Sequence, residues 1–478
     1  MSCQGRIIFH QVNFTTDAGH KPTKRKFIFF RTLEKSLYGF NPAQWHRHCL
    51  AEPHESAGYR NQTCAGIGSK RAIRASLRRY AVRSGRNIYR MFHLRSSFEA
   101  KLDERAIGYL TEGLTSGNWD SLPEQRAMFD ALSSAGFIDR SSAPALDIRD
   151  STPLLEVEVE VTNACDLRCR HCFVSHSTDY FPLELFEKVV VQARHLGAIT
   201  LSLNGGEATL HPRFDRLVEL AVEAGLRVRL FTNGGRIDLR RAKKLKQAGL
   251  SRAYVSLETF SEFHDWLRGP GSWDAVLAGA KALVAAGVEV VANPTITPRN
   301  LHLMDSFQKF ALEELGAVSV KFGIVAPIGR GKTNWEELAL PVSDYPNVFR
   351  HATGTRPLPE GNCPLSCKAG VNELFIGVRG DVFPCHFFAD PHFGMGNLND
   401  AEKTLESIYC GADPAVFRFR EFPHPRLLSC NACIQREKCG GGCRGRVFLM
   451  TGDLFEKDPV ACARFLGEPF KSKEAVTG

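Results

Sequence analysis

The sequence predicts an α/β protein: a partial (β/α)6 barrel with a C-terminal cysteine-rich domain and a small N-terminal α or α+β region. Six apolar segments alternate with helical segments between residues 154 and 325. Three closely spaced cysteines follow the first of these segments, and nine more lie between residues 363 and 462. Strands that alternate with helices indicate a parallel sheet, and the cysteine clusters indicate metal sites built onto it.

Length and composition are those of a protein with several domains. The chain has 478 residues, 43% hydrophobic and 24% charged, so two or three domains are expected. No apolar run approaches the roughly 20 residues of a membrane span. Residues 1–10 lack the basic-then-apolar order of a secretory signal. We therefore expect a cytoplasmic protein, in which clustered cysteines are typically metal ligands or catalytic groups.

The first 90 residues are predicted to be a basic, weakly structured extension. Residues 1–100 contain 18 lysines and arginines against 5 aspartates and glutamates. This excess suits an acidic peptide, a nucleic acid or a membrane surface, and it equally suits a solvated extension. Residues 91–150 carry apolar side chains at helical spacing, beginning with Leu102, Ile107 and Leu110. They are predicted to form a small helical or winged-helix domain.

Residues 151–345 are predicted to form the barrel. The expected strands cover 155–162, 198–203, 226–232, 253–257, 288–295 and 318–325. Helices are expected over 214–224, 238–248 and 273–286. Six such units favour an open barrel over the closed eight-stranded form.

Residues 346–478 are predicted to form the cysteine-rich domain. Its short segments are rich in Cys, Gly and Pro. Because such segments bury little apolar surface, metal sites would have to stabilise the domain.

The first cysteine cluster has the spacing C-x3-C-x2-C. Cys165, Cys169 and Cys172 follow the first barrel strand directly. Three thiolates on one loop can bind three irons of a cubane cluster and leave the fourth iron open. A zinc site with His171 or His176 as the fourth ligand is the alternative that the spacing leaves.

A second motif follows the next strand of the barrel. Gly205, Gly206 and Glu207 end the second predicted strand. Active sites of βα barrels lie at this end of the strands. The glycines permit close backbone approach, and Glu207 offers an acceptor for an ammonium group.

Together the two motifs resemble the radical S-adenosylmethionine (SAM) superfamily over residues 155–330. The resemblance implies that the three cysteines bind a 4Fe–4S cluster whose open iron chelates SAM. Electron transfer to SAM then produces a 5′-deoxyadenosyl radical that abstracts a substrate hydrogen. The residues that match SAM contacts are Gly205, Gly206, Glu207, Ser256, Glu258, Arg268, His171 and Phe173.

Two further segments are similar to those of peptide and protein maturases within this superfamily. One runs from Ser256 through His264 and Asp265 to Arg268. The other is Pro-Ile-Gly-Arg-Gly at 327–331. A helix-capping arginine and a structural turn histidine are the alternatives for Arg268 and His264.

The C-terminal cysteines form a second array. Eight thiolates would fill two closed 4Fe–4S sites, and a pair of zinc ribbons fits the spacing equally well. The array resembles the SPASM domain of radical SAM maturases, which implies two auxiliary 4Fe–4S clusters in a cysteine-rich iron–sulfur domain. The resemblance assigns Cys363, Cys367, Cys385 and Cys443 to the first cluster, and Cys430, Cys433, Cys439 and Cys462 to the second.

The SPASM resemblance also implies a class of substrate. Such enzymes crosslink, oxidise or epimerise ribosomally made peptides. Sulfatase maturases carry an aspartate where this chain has His386, so that activity is not expected here. His386, Asp381 and Glu373 are candidate bases, and solvated loop residues are the alternative for each.

The sequence therefore predicts a peptide maturase with an electron donor of the flavodoxin or ferredoxin type. Residues 91–146 are a candidate leader-peptide-binding region, with a helical cap on the barrel as the alternative. Neither a membrane nor a nucleic acid is an expected partner. A SPASM-type enzyme acting on a small-molecule cofactor precursor and a non-catalytic iron–sulfur or zinc protein remain the other readings.

Overall fold

The computed structural model describes most of the predicted barrel and parts of the regions on either side. The described residues are 7–9, 79–83, 88–93, 99–103, 106, 108–110, 112, 123–134, 147–149, 154–352, 367–411, 430, 433–435 and 439–466.

An N-terminal five-stranded sheet precedes the barrel. Its strands are β1 (Ile7–Phe9), β2 (Arg79–Arg83), β3 (Ile88–His93), β4 (Glu99–Asp103) and β5 (Asp147–Arg149), and helix α1 spans Pro123–Ser134. The sheet order is β1-β4-β3-β2-β5. Strands β2, β3 and β4 form an antiparallel meander, and β5 runs parallel to β2. Residue 90, where the sequence placed the end of the basic extension, lies inside β3.

The predicted partial barrel is confirmed. Its strands are β6 (Glu156–Thr162), β7 (Thr200–Gly205), β8 (Arg227–Thr232), β9 (Arg252–Val255), β10 (Glu289–Ala292), β11 (Thr295–Ile296), β12 (Ser319–Val320) and β13 (Gly323–Ile324). Its helices include α2 (Leu183–His195), α3 (Phe214–Glu223), α4 (Leu239–Ala248), α5 (Ser261–Arg268), α6 (Ser272–Ala285) and α7 (Met304–Lys309). The strands from β6 to β10, and then β12, pair in parallel in chain order.

The fifth and sixth predicted strands are each divided in two. Pro294 lies between β10 and β11, and proline has no N–H to donate to a neighbouring strand. Strands β11 and β13 instead pair with each other as a separate two-stranded sheet.

Side chains of β6 alternate between the two faces of the sheet. Val157, Val159 and Val161 are fully buried in the core formed with the helices. Glu156 and Glu158, which alternate with them, therefore point to the opposite, inner face of the sheet. The helices cover the apolar face of the sheet. The charged side chains of β6 therefore lie on the inner face, where the candidate site is.

The remaining elements follow the barrel. They are α8 (Gly329–Thr333), α9 (Trp335–Leu338), α10 (Tyr345–Ala352), β14 (Glu373–Ile376), β15 (Asp381–Phe383), β16 (Gly396–Asn397), α11 (Leu405–Cys410), α12 (Arg444–Thr451) and α13 (Pro459–Leu466). Within the described part of the chain, no helix is both long and apolar enough to cross a membrane.

The cysteine-rich domain shares the sheet of the barrel. Strand β14 pairs in parallel with β6, and β15 and β16 extend the sheet antiparallel to nine strands. The sequence did not predict this pairing. It places Cys367 and Cys385, which flank the β14–β15 hairpin, beside the strand that leads into the Cys165 loop.

Candidate metal centres and active site

The Cys165 loop begins three residues after the end of β6. Cys169 is 7% exposed, and Cys165 and Cys172 are half-buried free thiols. The Thr162 hydroxyl accepts a hydrogen bond from Ala164 N at 3.0 Å and donates to Asp179 O at 2.8 Å. These bonds fix the start of the loop.

Gly205 and Gly206 are required by the approach of this loop to the end of β7. A Cβ at Gly205 would lie 2.1 Å from Thr162 O, and one at Gly206 would lie 2.5 Å from Ala164 O. Gly205 also has a φ of +144°, which disfavours residues with a side chain. Gly206 N donates to Thr162 O at 2.8 Å, so the two strand ends are held together.

Glu207 is 1% exposed, and its carboxylate accepts four hydrogen bonds. The donors are Thr209 N (3.1 Å), Thr209 Oγ1 (2.5 Å), Thr232 Oγ1 (2.7 Å) and Asn233 N (2.6 Å). Three of these bonds fall on Oε1, whereas Oε2 accepts from Asn233 N alone. Each carboxylate oxygen offers about two acceptor positions, so Oε2 keeps one for a further donor such as the ammonium group that the sequence suggests. The carboxylate also joins β7 to the end of β8.

Glu258 and Arg268 form a buried ion pair beside the cysteine loop. Glu258 is fully buried, and its Oε1 lies 2.7 Å from Arg268 Nε and 2.6 Å from Arg268 Nη2. Its Oε2 accepts from Thr295 N at 2.6 Å. Arg268 Nη1 lies 3.8 Å from Cys169 Sγ. The pair therefore faces a cysteine sulfur through the guanidinium group.

Arg330 in the Pro-Ile-Gly-Arg-Gly segment fixes the same loop through its backbone. Its Nε donates to Cys169 O at 2.8 Å, and its amide donates to Cys172 O at 2.9 Å. Its Nη2 lies 3.2 Å from His176 Nε2, which is itself 3.9 Å from Cys172 Sγ.

The other predicted SAM contacts are His171 and Phe173 in or next to the cysteine loop and Ser256 after β9. His171 is partly buried, and its Nδ1 has no hydrogen-bond partner among the described residues. Burial and the nearby guanidinium groups of Arg268 and Arg330 hold the pKa of His171 well below its usual value, so its ring is neutral. Phe173 is 48% exposed. Ser256 follows β9 and donates its amide to Thr232 O at 2.9 Å.

The C-terminal cysteines fall into two spatial groups. Burial, with a smaller contribution from the nearby Cys443, raises the pKa of Cys367 to about 11. Burial likewise raises the pKa of Cys385, with further contributions from Glu373, Cys367 and Cys443. Cys367, Cys385 and Cys443 are thus neighbours. Cys363, the fourth member assigned by resemblance, lies outside the described residues.

The second group contains the remaining four cysteines. Burial raises the pKa of Cys439, and the nearby Cys430 and Cys433 contribute. Burial raises the pKa of Cys462 to about 11, with contributions from Cys430 and Cys439. The structure thus brings together the cysteines that resemblance assigned to the second cluster.

Asp458 joins the two groups. It is 1% exposed, and its Oδ2 accepts from Cys443 N at 2.7 Å. Its backbone carbonyl accepts from Cys462 N at 2.8 Å. Arg446 neutralises its charge. One cysteine of each group is therefore fixed to a single buried residue.

The donor sets fit iron–sulfur clusters. The described cysteines of all three groups are free, and burial raises the pKa of Cys165 to about 11. Thiols of this kind stay protonated unless a metal cation displaces the proton. The three thiols of the Cys165 loop and the orphaned His171 Nδ1 are donors and acceptors that a cluster with a bound ligand would satisfy.

A polar cluster lies on the inner face of the sheet next to Cys385. The ligand-type atoms of Glu158, Glu373 and His386 all lie within 4.8 Å of one another. His386 Nδ1 is 3.2 Å from Glu158 Oε2. Burial opposes the charge on His386, but the carboxylates of Glu158 and Glu373 outweigh it and raise the pKa of His386. Burial raises the pKa of Glu373 to about 7.

The three candidate bases do not share one site. His386 and Glu373 meet in this cluster, whereas the Asp381 carboxylate accepts from Asn397 Nδ2 at 2.8 Å. The rings of His386 and Phe173 are stacked with their centroids 6.4 Å apart. The Cys165 loop and the Cys385 loop therefore meet at this contact.

Sequence reasoning did not single out Glu158, Thr232 or Asp458. The alternation Glu-Val-Glu-Val-Glu-Val in β6 was a usable signal, because it places Glu158 on the face opposite the apolar core. No signal marks Thr232 or Asp458, since their roles depend on contacts between segments far apart in the chain.

Two family models match the chain. The Radical SAM superfamily matches residues 159–310, and the SPASM iron–sulfur cluster-binding domain matches residues 367–434. These ranges contain the Cys165 loop and the cysteines from Cys367 to Cys433.

Two relatives in sequence each cover about two thirds of this chain. An AdoMet-dependent heme synthase of Methanosarcina barkeri is 29% identical in an alignment of 349 positions that covers 64% of this chain and 95% of the relative. The mycofactocin maturase MftC of Mycobacterium tuberculosis is 28% identical over 338 residues, covering 66% and 84%.

Among solved structures, SuiB of Streptococcus suis bound to S-adenosylmethionine has the same fold. The TM-score is 0.58 at 18% identity, and the match covers 81% of this chain and 99% of SuiB. This share exceeds that of residues 151–478, so the likeness in fold includes residues before the barrel.

The pH dependence of stability is expected to report Glu160 on the inner face. Burial raises the pKa of Glu160 from 4.5 to about 7. Between these values the unfolded chain releases a proton that the folded chain keeps, so the free energy of unfolding falls as pH rises. At ~1.4 kcal/mol per pKa unit the loss is about 3 kcal/mol. Glu160→Gln should remove it, giving a smaller fall in melting temperature between pH 5 and 8.

Thermal denaturation of the apoprotein at several pH values measures this difference. Glu219→Gln is the control, because Glu219 lies on the surface of α3 in an ion pair with Arg216. It should follow the wild-type profile. Parallel profiles for wild type and Glu160→Gln would contradict the assignment.

Proposed function

We propose that this chain, a radical SAM enzyme with a C-terminal SPASM domain, abstracts a hydrogen atom from a ribosomally made peptide and so crosslinks, oxidises or epimerises it. A cluster at the Cys165 loop with bound SAM supplies the 5′-deoxyadenosyl radical for that step. The observation that carries the proposal is the meeting of two cysteine loops at the contact between Phe173 and His386. A substrate on the inner face at this point lies beside both metal sites.

The roles of the cysteines follow from this proposal. Cys165, Cys169 and Cys172 hold the SAM-binding cluster. Two auxiliary clusters are held by Cys363, Cys367, Cys385 and Cys443, and by Cys430, Cys433, Cys439 and Cys462. The grouping of the described cysteines supports these sets.

The SAM contacts come from the strand ends around the Cys165 loop. Gly205 and Gly206 present backbone groups there, and His171 offers its unpaired Nδ1. Phe173 follows Cys172 directly, and Ser256 follows β9. Glu258 and Arg268 pair with each other, whereas Glu207 Oε2 accepts from Asn233 N alone and can accept a further bond from the SAM ammonium group.

His386 is the proposed base. Removing an electron from a carbon radical leaves a proton to be accepted, and His386 lies beside Cys385 with two carboxylates around it. Glu158 orients the imidazole through Nδ1, and Glu373 adds negative charge that favours the protonated ring. This arrangement can take up a proton beside the cysteines that would hold the auxiliary cluster, which would supply an acceptor for the electron.

A peptide substrate is supported by a relative named PqqA peptide cyclase, from Gluconobacter oxydans, which is 27% identical in an alignment of 334 positions. The M. barkeri relative is instead named as a heme synthase. The similar identity to both supports a small-molecule cofactor precursor as the second candidate substrate. We further place the enzyme in the cytoplasm, with a flavodoxin or ferredoxin as electron donor.

Product analysis with the full chain tests the function. Anaerobically reconstituted protein is incubated with SAM, dithionite and any short peptide encoded next to its gene. We expect 5′-deoxyadenosine and a peptide lighter by two hydrogens, or a peptide that gains deuterium from deuterated water if it is epimerised. The Cys169→Ala variant, which removes the most buried ligand of the Cys165 loop, should yield neither product.

Other outcomes of the same experiment distinguish the alternative functions. Deoxyadenosine with an unchanged peptide but a converted porphyrin precursor would favour the small-molecule candidate. Full iron content without deoxyadenosine would contradict the radical SAM activity itself.

Replacement of the proposed base should separate hydrogen abstraction from product formation. In His386→Gln we expect deoxyadenosine to form at nearly the wild-type rate while modified peptide falls by about 10²-fold or more, as for loss of a general base. Glu373→Gln should show the same direction with a smaller effect. Mass spectrometry of both products in one reaction gives the ratio.

Asp381→Asn is the matched control, because Asp381 is paired with Asn397 outside the His386 cluster. Its ratio of peptide product to deoxyadenosine should equal that of wild type. An unchanged ratio in His386→Gln, or a reduced ratio in Asp381→Asn, would reject His386 as the base.

Leader recognition is proposed for residues 91–146. The fold likeness to SuiB extends before the barrel, where strands β3 and β4 form an antiparallel pair and helix α1 follows them in the chain. In fluorescence anisotropy, we expect a variant lacking residues 1–146 to bind a full precursor no more tightly than a leaderless one. Undiminished preference for the leader would refute the assignment. Iron content of the variant serves as the control for folding.

A further inference from the structure

We propose that Arg268 raises the reduction potential of the cluster at the Cys165 loop by donating a hydrogen bond to the Cys169 sulfur. This inference rests on the proposed function, because it requires a cluster at these cysteines. It gives Arg268 a role distinct from a direct contact to SAM.

The contact is close and excluded from water. Arg268 Nη1 lies 3.8 Å from Cys169 Sγ, a distance typical of an N–H donor to sulfur. Arg268 is 8% exposed and Cys169 is 7% exposed. Because little water reaches these two side chains, solvent screens the positive charge of Arg268 only weakly at the cluster.

The guanidinium is held so that this N–H points at the sulfur. Glu258 Oε1 receives Nε and Nη2, at 2.7 and 2.6 Å, which leaves Nη1 for Cys169. Glu258 is in turn fixed by Thr295 N at 2.6 Å. Because the guanidinium fork is planar and rigid, fixing two of its nitrogens fixes the third.

A backbone hydrogen bond also joins the cysteine loop to the end of helix α5. Arg170 N, next to Cys169, donates to Leu267 O, next to Arg268, at 2.8 Å. The end of helix α5 is therefore bonded to the cysteine loop at the position where the side chains meet. The contact does not depend on a flexible side chain reaching across a gap.

The charge of Arg268 is not cancelled at the sulfur. Glu258 is the nearest compensating group, but Arg268 stands between it and Cys169. A positive charge this close to the sulfur favours the reduced, more negative cluster. Hydrogen bonds to cluster sulfurs also shift reduction potentials.

Redox titration followed by electron paramagnetic resonance tests the proposal on reconstituted full-length protein. The cluster at the Cys165 loop is identified as the signal that changes when SAM is added. The variant is the double replacement Arg268→Gln with Glu258→Gln, which avoids leaving a lone buried carboxylate. We expect its reduced-to-oxidised ratio at a given potential to fall at least tenfold, which is 59 mV for one electron.

The matched control is Arg236→Gln. Arg236 is 56% exposed and pairs with Asp166 in the same loop at 2.7 Å, so the variant removes one positive charge near the same cysteines but in water. Its potential should stay within a threefold change in that ratio. Arg268→Lys keeps the charge but loses the fixed fork, and it should shift the potential in the same direction as the double variant by a smaller amount.

The outcomes separate this inference from the proposed function. A wild-type potential in the double variant and in Arg268→Lys, with the SAM-responsive signal intact, overturns the role of Arg268. An equal shift in Arg236→Gln also overturns it, because charge alone would then explain the effect. If the double variant fails to load iron, Arg268→Lys decides the question. Wild-type protein with no SAM-responsive signal would instead reject the proposed function.

Discussion

Three buried carboxylates that hold backbone amides are the constraint on which the metal sites depend. Glu207, Glu258 and Asp458 are each no more than 1% exposed. Each accepts at least one backbone N–H from a segment at or near a cysteine loop: Asn233 N, Thr295 N and Cys443 N respectively. A buried carboxylate is costly unless its oxygens are satisfied. Strand ends that supply those donors are therefore held in one arrangement.

This constraint fixes the cysteine loops through contacts within the protein. The Cys165 loop is fixed by Arg330 through two carbonyls and by the glycine pair that allows β7 to approach it. The two C-terminal groups are joined through Asp458. Burial raises the pKa of several of these thiols, among them Cys165, Cys367 and Cys385, and metal binding would displace their protons. Folding and cluster binding thus favour the same geometry.

Much of the barrel could be predicted because its signals are local. Apolar strands and amphipathic helices repeat within short windows, and all six predicted strands overlap observed ones. The metal-binding role of the cysteines could be predicted because their spacing along the chain is the spacing that metal-binding loops require. Strand β14 could not, since it has four residues in a cysteine-rich segment and pairs with Glu156 far earlier in the chain. The bonds of Glu207 to Thr232 and Asn233 could not be predicted for the same reason, because these residues come to it only through the fold. In the sequence, Asp381 and His386 are equally good candidates for the base. They are distinguished only by the structure, which places Glu158 beside His386.

The pairing of β14 with β6 has a consequence for biosynthesis. Strand β6 is the first barrel strand to leave the ribosome, yet one of its edges has no partner until residues 373–376 follow. An open strand edge invites association with other chains. The glutamates at alternate positions of β6 lie on its inner face during that interval, and inward-pointing charges of this kind oppose edge-to-edge association. The residues that line the site of the mature enzyme are thus also suited to protect the nascent chain.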